Sequence, residues 1–160
     1  EILIDCLKTI NKKEYSLKIL GDGPLKERIK QKIKKNNLSN NIKILGYKKD
    51  ITNYLKNSDL LINTSYFEGF PNVVVEALSC SVPVICSQSN GGINEILLNG
   101  KLGDVYDQNK PGDLRRKIKN FIKNPNTLNI KVSKAHKNLK RFGRVYSAKN
   151  YERVFNSIKF

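Results

Sequence analysis

The chain has 160 residues, enough for one domain with a sizeable hydrophobic core. Its 30 Lys and Arg against 14 Asp and Glu give a formal charge of +16, which suits nucleic acid, an anionic membrane surface or an acidic substrate without choosing among them. Cys6, Cys80 and Cys86 lack paired or C-x-x-C spacing and His136 is the sole histidine, which argues against a disulfide scaffold and a zinc site, and no apolar run approaches a membrane span.

The first predicted element is a helix over Ile2–Ile10, whose apolar spacing starts abruptly. Leu17–Leu20 is a short strand closed by the turn Gly21-Asp22-Gly23-Pro24. Leu25, Ile29 and Ile33 then mark one stripe of a helix with Lys and Glu on its other side. Ile42–Leu45 is the next strand, ending at Gly46, and Ile51–Leu55 suggests a short helix. Leu60–Asn63 is a third strand that leads into a loop around Glu68. Pro71–Ser79 reads as a helix, Val82–Cys86 as a fourth strand, and Ile93–Leu98 as a helix after the Gly91-Gly92 loop. A fifth strand lies near Asp104–Tyr106, and Pro111–Lys123 is amphipathic. After Pro125 the chain looks helical to its end, with a break at Phe142-Gly143 and a terminal helix over Tyr146–Phe160.

Short apolar strands alternating with helices predict an α/β, Rossmann-like three-layer domain over residues 1–145, built on a mostly parallel sheet covered on both faces. Ligands of such sheets bind beyond the carboxyl ends of the strands, where the turns at Gly21, Gly46, Gly69 and Gly91 converge. The densest basic clusters, Lys30–Lys35 and Arg115–Lys123, alternate with apolar positions and read as solvated helix faces. The chain has no Met and opens on Glu1, which predicts a piece of a longer protein.

The richest stretch is Glu68-Gly69-Phe70-Pro71-Asn72-Val73-Val74-Val75-Glu76. Pro71 suits the first helical position because its missing N–H would be unbonded there anyway. The exposed N–H groups of that first turn attract anions, phosphates above all. Glu76 falls four residues after Asn72, on the same helix face, while Glu68 stays on the loop. Singly, each Glu reads as a surface charge near a helix end. Together they flank an anion cradle, and a nucleotide-sugar needs such N–H donors for its diphosphate and carboxylates for its hydroxyls.

Four loops, Leu20-Gly21-Asp22-Gly23-Pro24, Leu45-Gly46-Tyr47, Tyr66 to Asn72 with Glu76, and Ser89-Asn90-Gly91-Gly92-Ile93-Asn94-Glu95, follow one another in an order and spacing that resembles the C-terminal half of a family 4 retaining glycosyltransferase with the GT-B fold. The resemblance covers nearly the whole chain, and its E-x7-E motif is matched by Glu68 and Glu76. It implies that Glu76 holds the ribose hydroxyls and that Glu68, the candidate catalytic residue, faces the donor sugar near the anomeric carbon. It implies that Gly69, Phe70, Pro71 and Asn72 line the sugar and diphosphate, that Gly46, Tyr47 and Lys48 lie beside the base, and that Gly21 and Gly23 admit close backbone approach. Glu95 falls in the loop that lines the donor side. No metal and no cofactor are expected beyond the nucleotide-sugar substrate.

The family also carries an Arg and a Lys for the diphosphate just ahead of the helix that opens this chain. With those cations and the N-terminal acceptor domain missing, residues 1–160 are expected to be inactive alone. The terminal helix is expected to pack on that N-terminal domain or on this one. A saccharide or lipid-linked acceptor is implied, with the protein in the cytoplasm and able to lie at the inner face of an anionic membrane. Two other readings compete. A GT-B nucleotide-sugar epimerase lacks the Glu68-to-Glu76 pattern. A polyanion or nucleic-acid module would interleave aromatics with its basic clusters, and here most Tyr and Phe fall outside them.

Overall fold

A computed structural model describes residues 1–89 and 91–158. The chain opens with α1 (Ile2–Leu7), shorter than the expected run to Ile10, and a 3-10 turn at Lys12–Glu14 leads into β1 (Leu17–Leu20). Then come α2 (Lys26–Lys35), β2 (Ile42–Gly46), α3 (Thr52–Lys56), β3 (Leu61–Asn63) and α4 (Asn72–Ser79). The second half continues with β4 (Val84–Ser87), α5 (Ile93–Ile96), β5 (Asp104–Tyr106) and α6 (Asp113–Lys123). It closes with α7 (Asn126–Ser133), α8 (Ala135–Leu139), a 3-10 turn at Lys140–Phe142 and α9 (Arg144–Ser157).

The expected βαβ alternation is present, and every strand pair is parallel. β4 is the best-covered strand. All four of its residues are buried, with Val84 and Cys86 in one apolar cluster and Ile85 in the other. Alternate side chains of a strand point to opposite faces, so β4 joins two helix layers. One layer holds Ile4 and Leu7 of α1, Ile33 of α2, and Leu114 and Ile118 of α6. The other holds Leu55 of α3, Val74, Ala77 and Leu78 of α4, and Ile93 and Ile96 of α5.

Three further details differ from the sequence-based expectation. β4 starts at Val84, not Val82, because Ser81 is left-handed (φ 61°) and Pro83, lacking an N–H, offers only its carbonyl to Leu61. The terminal helix starts at Arg144, just after the extended Gly143, and the expected residues 159–160 lie outside those described. The strands form two sheets, β1-β2 and β3-β4-β5, instead of one.

Candidate functional site

The loops that follow the strands come together in two hydrogen-bonded pairs. In the first, the Gly21 N–H donates to the Gly46 carbonyl at 2.9 Å, joining the turns after β1 and β2. Gly46 has φ 69°, a left-handed conformation that suits glycine. Asp22 orders its own turn by accepting from the Gly23 N–H at 3.0 Å and from Lys26 Nζ at 3.0 Å. The bond from Lys26, with that of Gly23, holds the Asp22 carboxyl below its ordinary range. Gly23 is exposed at this turn, and Tyr47 (74% exposed) and Lys48 lie open to solvent beside Gly46.

In the second pair, the Gly92 N–H donates to the Gly69 carbonyl at 2.8 Å. The contact is close enough to exclude side chains. A Cβ on Gly91 would lie 2.0 Å from the Glu68 carbonyl oxygen, and one on Gly92 would lie 2.9 Å from the Phe70 ring and 3.0 Å from the Gly69 carbonyl oxygen. The two consecutive glycines thus let the loop after β4 seat itself on the backbone of Glu68, Gly69 and Phe70. Phe70 meets Phe142 edge-on, at 5.2 Å between ring centroids. The Arg141 guanidinium lies 4.6 Å above the Phe142 ring and donates to the Glu95 carbonyl, in the second half of α5. Deeper in, the Ser65 carbonyl accepts from the Ser87 hydroxyl and from Gln108 Nε2 at 3.2 Å.

Pro71 is buried and sits one position earlier than expected. It is the residue ahead of the helix (φ −77°, ψ 91°), and Asn72 is the first helical residue. No side chain caps α4, so its first-turn N–H groups are not taken up by a capping oxygen. Asn72 and Glu76 are exposed on this helix, Glu68 is half-buried, and Glu95 is exposed on α5. Among the described residues the carboxylates of Glu68, Glu76 and Glu95 form no hydrogen bond or ion pair, whereas those of Glu1, Asp5, Asp104 and Asp113 are paired with Lys or Arg. Glu14, Asp59 and Glu152 are likewise without a hydrogen bond or ion pair among the described residues, so what marks Glu68, Glu76 and Glu95 is their place on the loops that the Gly69–Gly92 bond joins and on the helices that follow them. Burial, with the Glu68 charge nearby, pushes the Cys86 thiol under the loop up to about 12, so it stays neutral. Ser89 is 4% exposed, and its hydroxyl has no partner among the described residues.

No hydrogen bond among the described residues joins the Gly21–Gly46 pair to the Gly69–Gly92 pair. The site is an open edge: the cavities of about 320 and 350 Å³ elsewhere in the molecule are lined by neither Glu68 nor Glu76. Ser87, Gln108, Arg141 and Phe142 escape a sequence reading. The only signals were a serine ending an apolar strand and an aromatic at a helix break. Among the described residues no helix is long and apolar enough to cross a membrane.

A family model for glycosyl transferases group 1 matches residues 1–152. An uncharacterized glycosyltransferase of Methanocaldococcus jannaschii is 38% identical over 126 residues, which is 78% of this chain and 34% of that protein. The N-acetylgalactosamine-N,N'-diacetylbacillosaminyl-diphospho-undecaprenol 4-alpha-N-acetylgalactosaminyltransferase of Campylobacter jejuni is 28% identical over 148 residues, 92% of this chain and 37% of that protein. The crystal structure of Anabaena HepE in complex with UDP-glucose superposes with a TM-score of 0.87 at 27% identity, covering 98% of this chain and 44% of HepE. The chain spans about a third of the length of these curated relatives.

Proposed function

The chain belongs to the glycosyl transferases group 1 family, and from that membership we propose that it is the donor-binding half of a retaining enzyme that moves a sugar from a nucleotide-sugar to a saccharide or lipid-linked acceptor. The observation that carries this reading is the Glu68–Glu76 segment, with its unpaired carboxylates, uncapped helix start and glycine clamp. Glu76 holds the ribose hydroxyls. Glu68 faces the sugar hydroxyls beside the anomeric carbon. The backbone of Gly69, Phe70 and Asn72 meets the sugar and diphosphate, Pro71 supplying shape but no N–H. Gly21, Gly23, Gly46, Tyr47 and Lys48 flank the nucleoside, and Glu95 lies on the donor side.

The bond that breaks joins the anomeric carbon to a phosphate oxygen, so negative charge grows on the departing nucleoside diphosphate. Fixed N–H donors at the start of α4 answer that charge without a metal and without reorganising during the step. Upstream cations and the acceptor site belong to the rest of the protein, so residues 1–160 bind donor but do not transfer sugar. The UDP-glucose bound to HepE and the diphospho-undecaprenol acceptor in the name of the Campylobacter relative support these substrate classes. A charge of +16 favours work at the cytoplasmic face of an anionic membrane, where lipid-linked acceptors reside.

Calorimetry on residues 1–160 with UDP, GDP and ADP sugars tests the reading. One donor is expected to bind, and Glu76→Ala is expected to weaken it about tenfold, roughly 1.4 kcal/mol. Binding that ignores Glu76→Ala and collapses with salt would make the site a general polyanion surface instead.

A further inference from the structure

The 3-10 turn at Lys140–Phe142 meets the Glu68 loop cluster at two points. Phe142 packs edge-on against Phe70, at 5.2 Å between ring centroids. The Arg141 guanidinium lies 4.6 Å above the same Phe142 ring and donates to the Glu95 carbonyl of α5. α5 is a helix of 4 residues that begins after Gly92, whose N–H donates to the Gly69 carbonyl at 2.8 Å. Phe70 follows Gly69 directly, and its ring lies 2.9 Å from where a Cβ on Gly92 would stand. The contacts close on themselves: Gly69, Gly92, Glu95, Arg141, Phe142, Phe70 and back to Gly69.

No member of this ring is strong alone. A helix as short as α5 does not keep its shape in water by its own hydrogen bonds. Ile93 and Ile96 bury one side of it, and its two ends rest on Gly69 and Arg141. Arg141 stands at the C-terminal end, where carbonyls lack helical partners and a cation is favoured. Phe70 is 41% exposed, and the covered part of its ring meets Gly92 and Phe142. Stability alone accounts poorly for Arg141. Among the described residues its guanidinium has no carboxylate partner, and its buried Nε has no hydrogen-bond partner. A buried N–H left unpaired opposes folding. The chain uses Lys far more often than Arg, yet a lysine has no plane to lay over Phe142 while it reaches a carbonyl. The planar fork bridges ring and carbonyl at once.

We propose that Arg141 and Phe142 are positioning residues for the donor: they set the Gly69–Asn72 backbone against the loop after β4, and with it the place where the sugar and diphosphate lie. The assignment rests on the donor reading of the Glu68–Glu76 segment. Neither side chain touches the donor. Phe142 acts through Phe70, and Arg141 acts through Phe142 and through α5. Supporting groups of this kind decide whether binding groups stand where a ligand needs them. The nucleoside end is separate, since no hydrogen bond among the described residues joins the Gly21–Gly46 pair to this ring. Loss of either side chain therefore weakens the hold on diphosphate and sugar and spares the hold on the nucleoside.

The test uses the full-length protein, with UDP, GDP, ADP and their nucleosides as probes. The diphosphate that the wild type binds is expected to bind Arg141→Ala and Phe142→Leu about tenfold more weakly in calorimetry, with affinity for the matching nucleoside kept within about twofold. That ratio separates positioning from general loosening, because a smaller folded fraction lowers both affinities alike. Phe142→Tyr keeps the ring and is expected to keep the wild-type ratio. Without ligand, the Gly69 and Gly92 amide signals of glycine-labelled protein are expected to shift in Arg141→Ala and Phe142→Leu, while those of Gly21 and Gly46 stay. If Phe142→Leu fails to fold, the half-buried Arg141 still gives both readouts through Arg141→Ala and Arg141→Lys. An equal fall in both affinities, wild-type affinities in the variants, or unmoved Gly69 and Gly92 signals each overturn the assignment and leave the donor reading standing. A wild type that binds none of these diphosphates overturns the donor reading and the assignment with it.

Discussion

Gly92 shows how little room one residue has at this site. A methyl there would press on the Phe70 ring at 2.9 Å and on the Gly69 carbonyl at 3.0 Å. The ring, 41% exposed and edge-on to Phe142 at 5.2 Å, has solvent to turn into, but the Gly69 carbonyl is backbone and can give only if the loop moves. Gly92→Ala is therefore expected to shift the Glu68–Phe70 backbone, weakening donor binding about tenfold while costing about 1–3 kcal/mol of stability. Calorimetry and urea unfolding of the variant check both numbers, and unchanged affinity would show that the glycine clamp does not shape the donor site. Gly91→Ala is the harsher change, since its Cβ would meet the Glu68 carbonyl oxygen at 2.0 Å and its φ is 142°. The sequence displayed both glycines but not their partners, because loop-to-loop contact leaves no periodic trace in either loop.

Elements were legible where a repeat spans several residues. Val74, Ala77 and Leu78 mark the buried face of α4 by helical spacing, and the all-apolar stretch around Ile85 marks a strand covered on both faces. Boundaries were less so. Proline tolerates both the last position before a helix and the first within it, and Pro71 takes the former. The split of the sheet was invisible, because a strand's own residues do not say which neighbour it pairs with. α9 is the other case in which pattern and packing part company. Its Val145, Tyr151, Val154 and Phe155 are 58–71% exposed, and none of its residues is buried. An unsupported helix of this length is marginal in water. Truncation after Gly143 is therefore expected to move the melting temperature by less than about 2 °C, with α9 amides exchanging far faster than those of α4. A loss of several degrees would mean that α9 packs on this domain in solution.

The whole molecule carries its +16 charge with its few acidic groups mostly committed to partners, and this sets its response to pH. Lys32 holds the Asp5 carboxyl below its ordinary range. At Asp113 burial pushes up, but the Asp107 N–H at 3.0 Å and Arg116 more than offset it and leave the carboxyl lowered. Lowered carboxyls stabilise the fold above the unfolded pKa of about 4 and lose that contribution as pH falls through it toward the folded values. Protonation also adds to an already positive net charge, so repulsion acts in the same direction. At the alkaline end the sign reverses. Burial pushes Cys86 from 9.0 to about 12 and Tyr106 from 10.0 to about 12. Unfolding frees both to ionise, so their contribution is complete below pH 9 and is lost above it. The urea midpoint is thus expected to be flat from about pH 5.5 to 8.5 and to fall on both sides. Asp113→Asn is expected to lose about 1–3 kcal/mol at pH 7 and progressively less toward pH 3, flattening the acid limb. Cys86→Val keeps an apolar side chain at this buried site and removes one of the buried thiols, so its alkaline limb is expected to be shallower above pH 9, with Cys6, Tyr15 and Tyr106, all raised by burial, carrying the rest. An alkaline limb unmoved by Cys86→Val would place that loss of stability elsewhere than under the Glu68 loop.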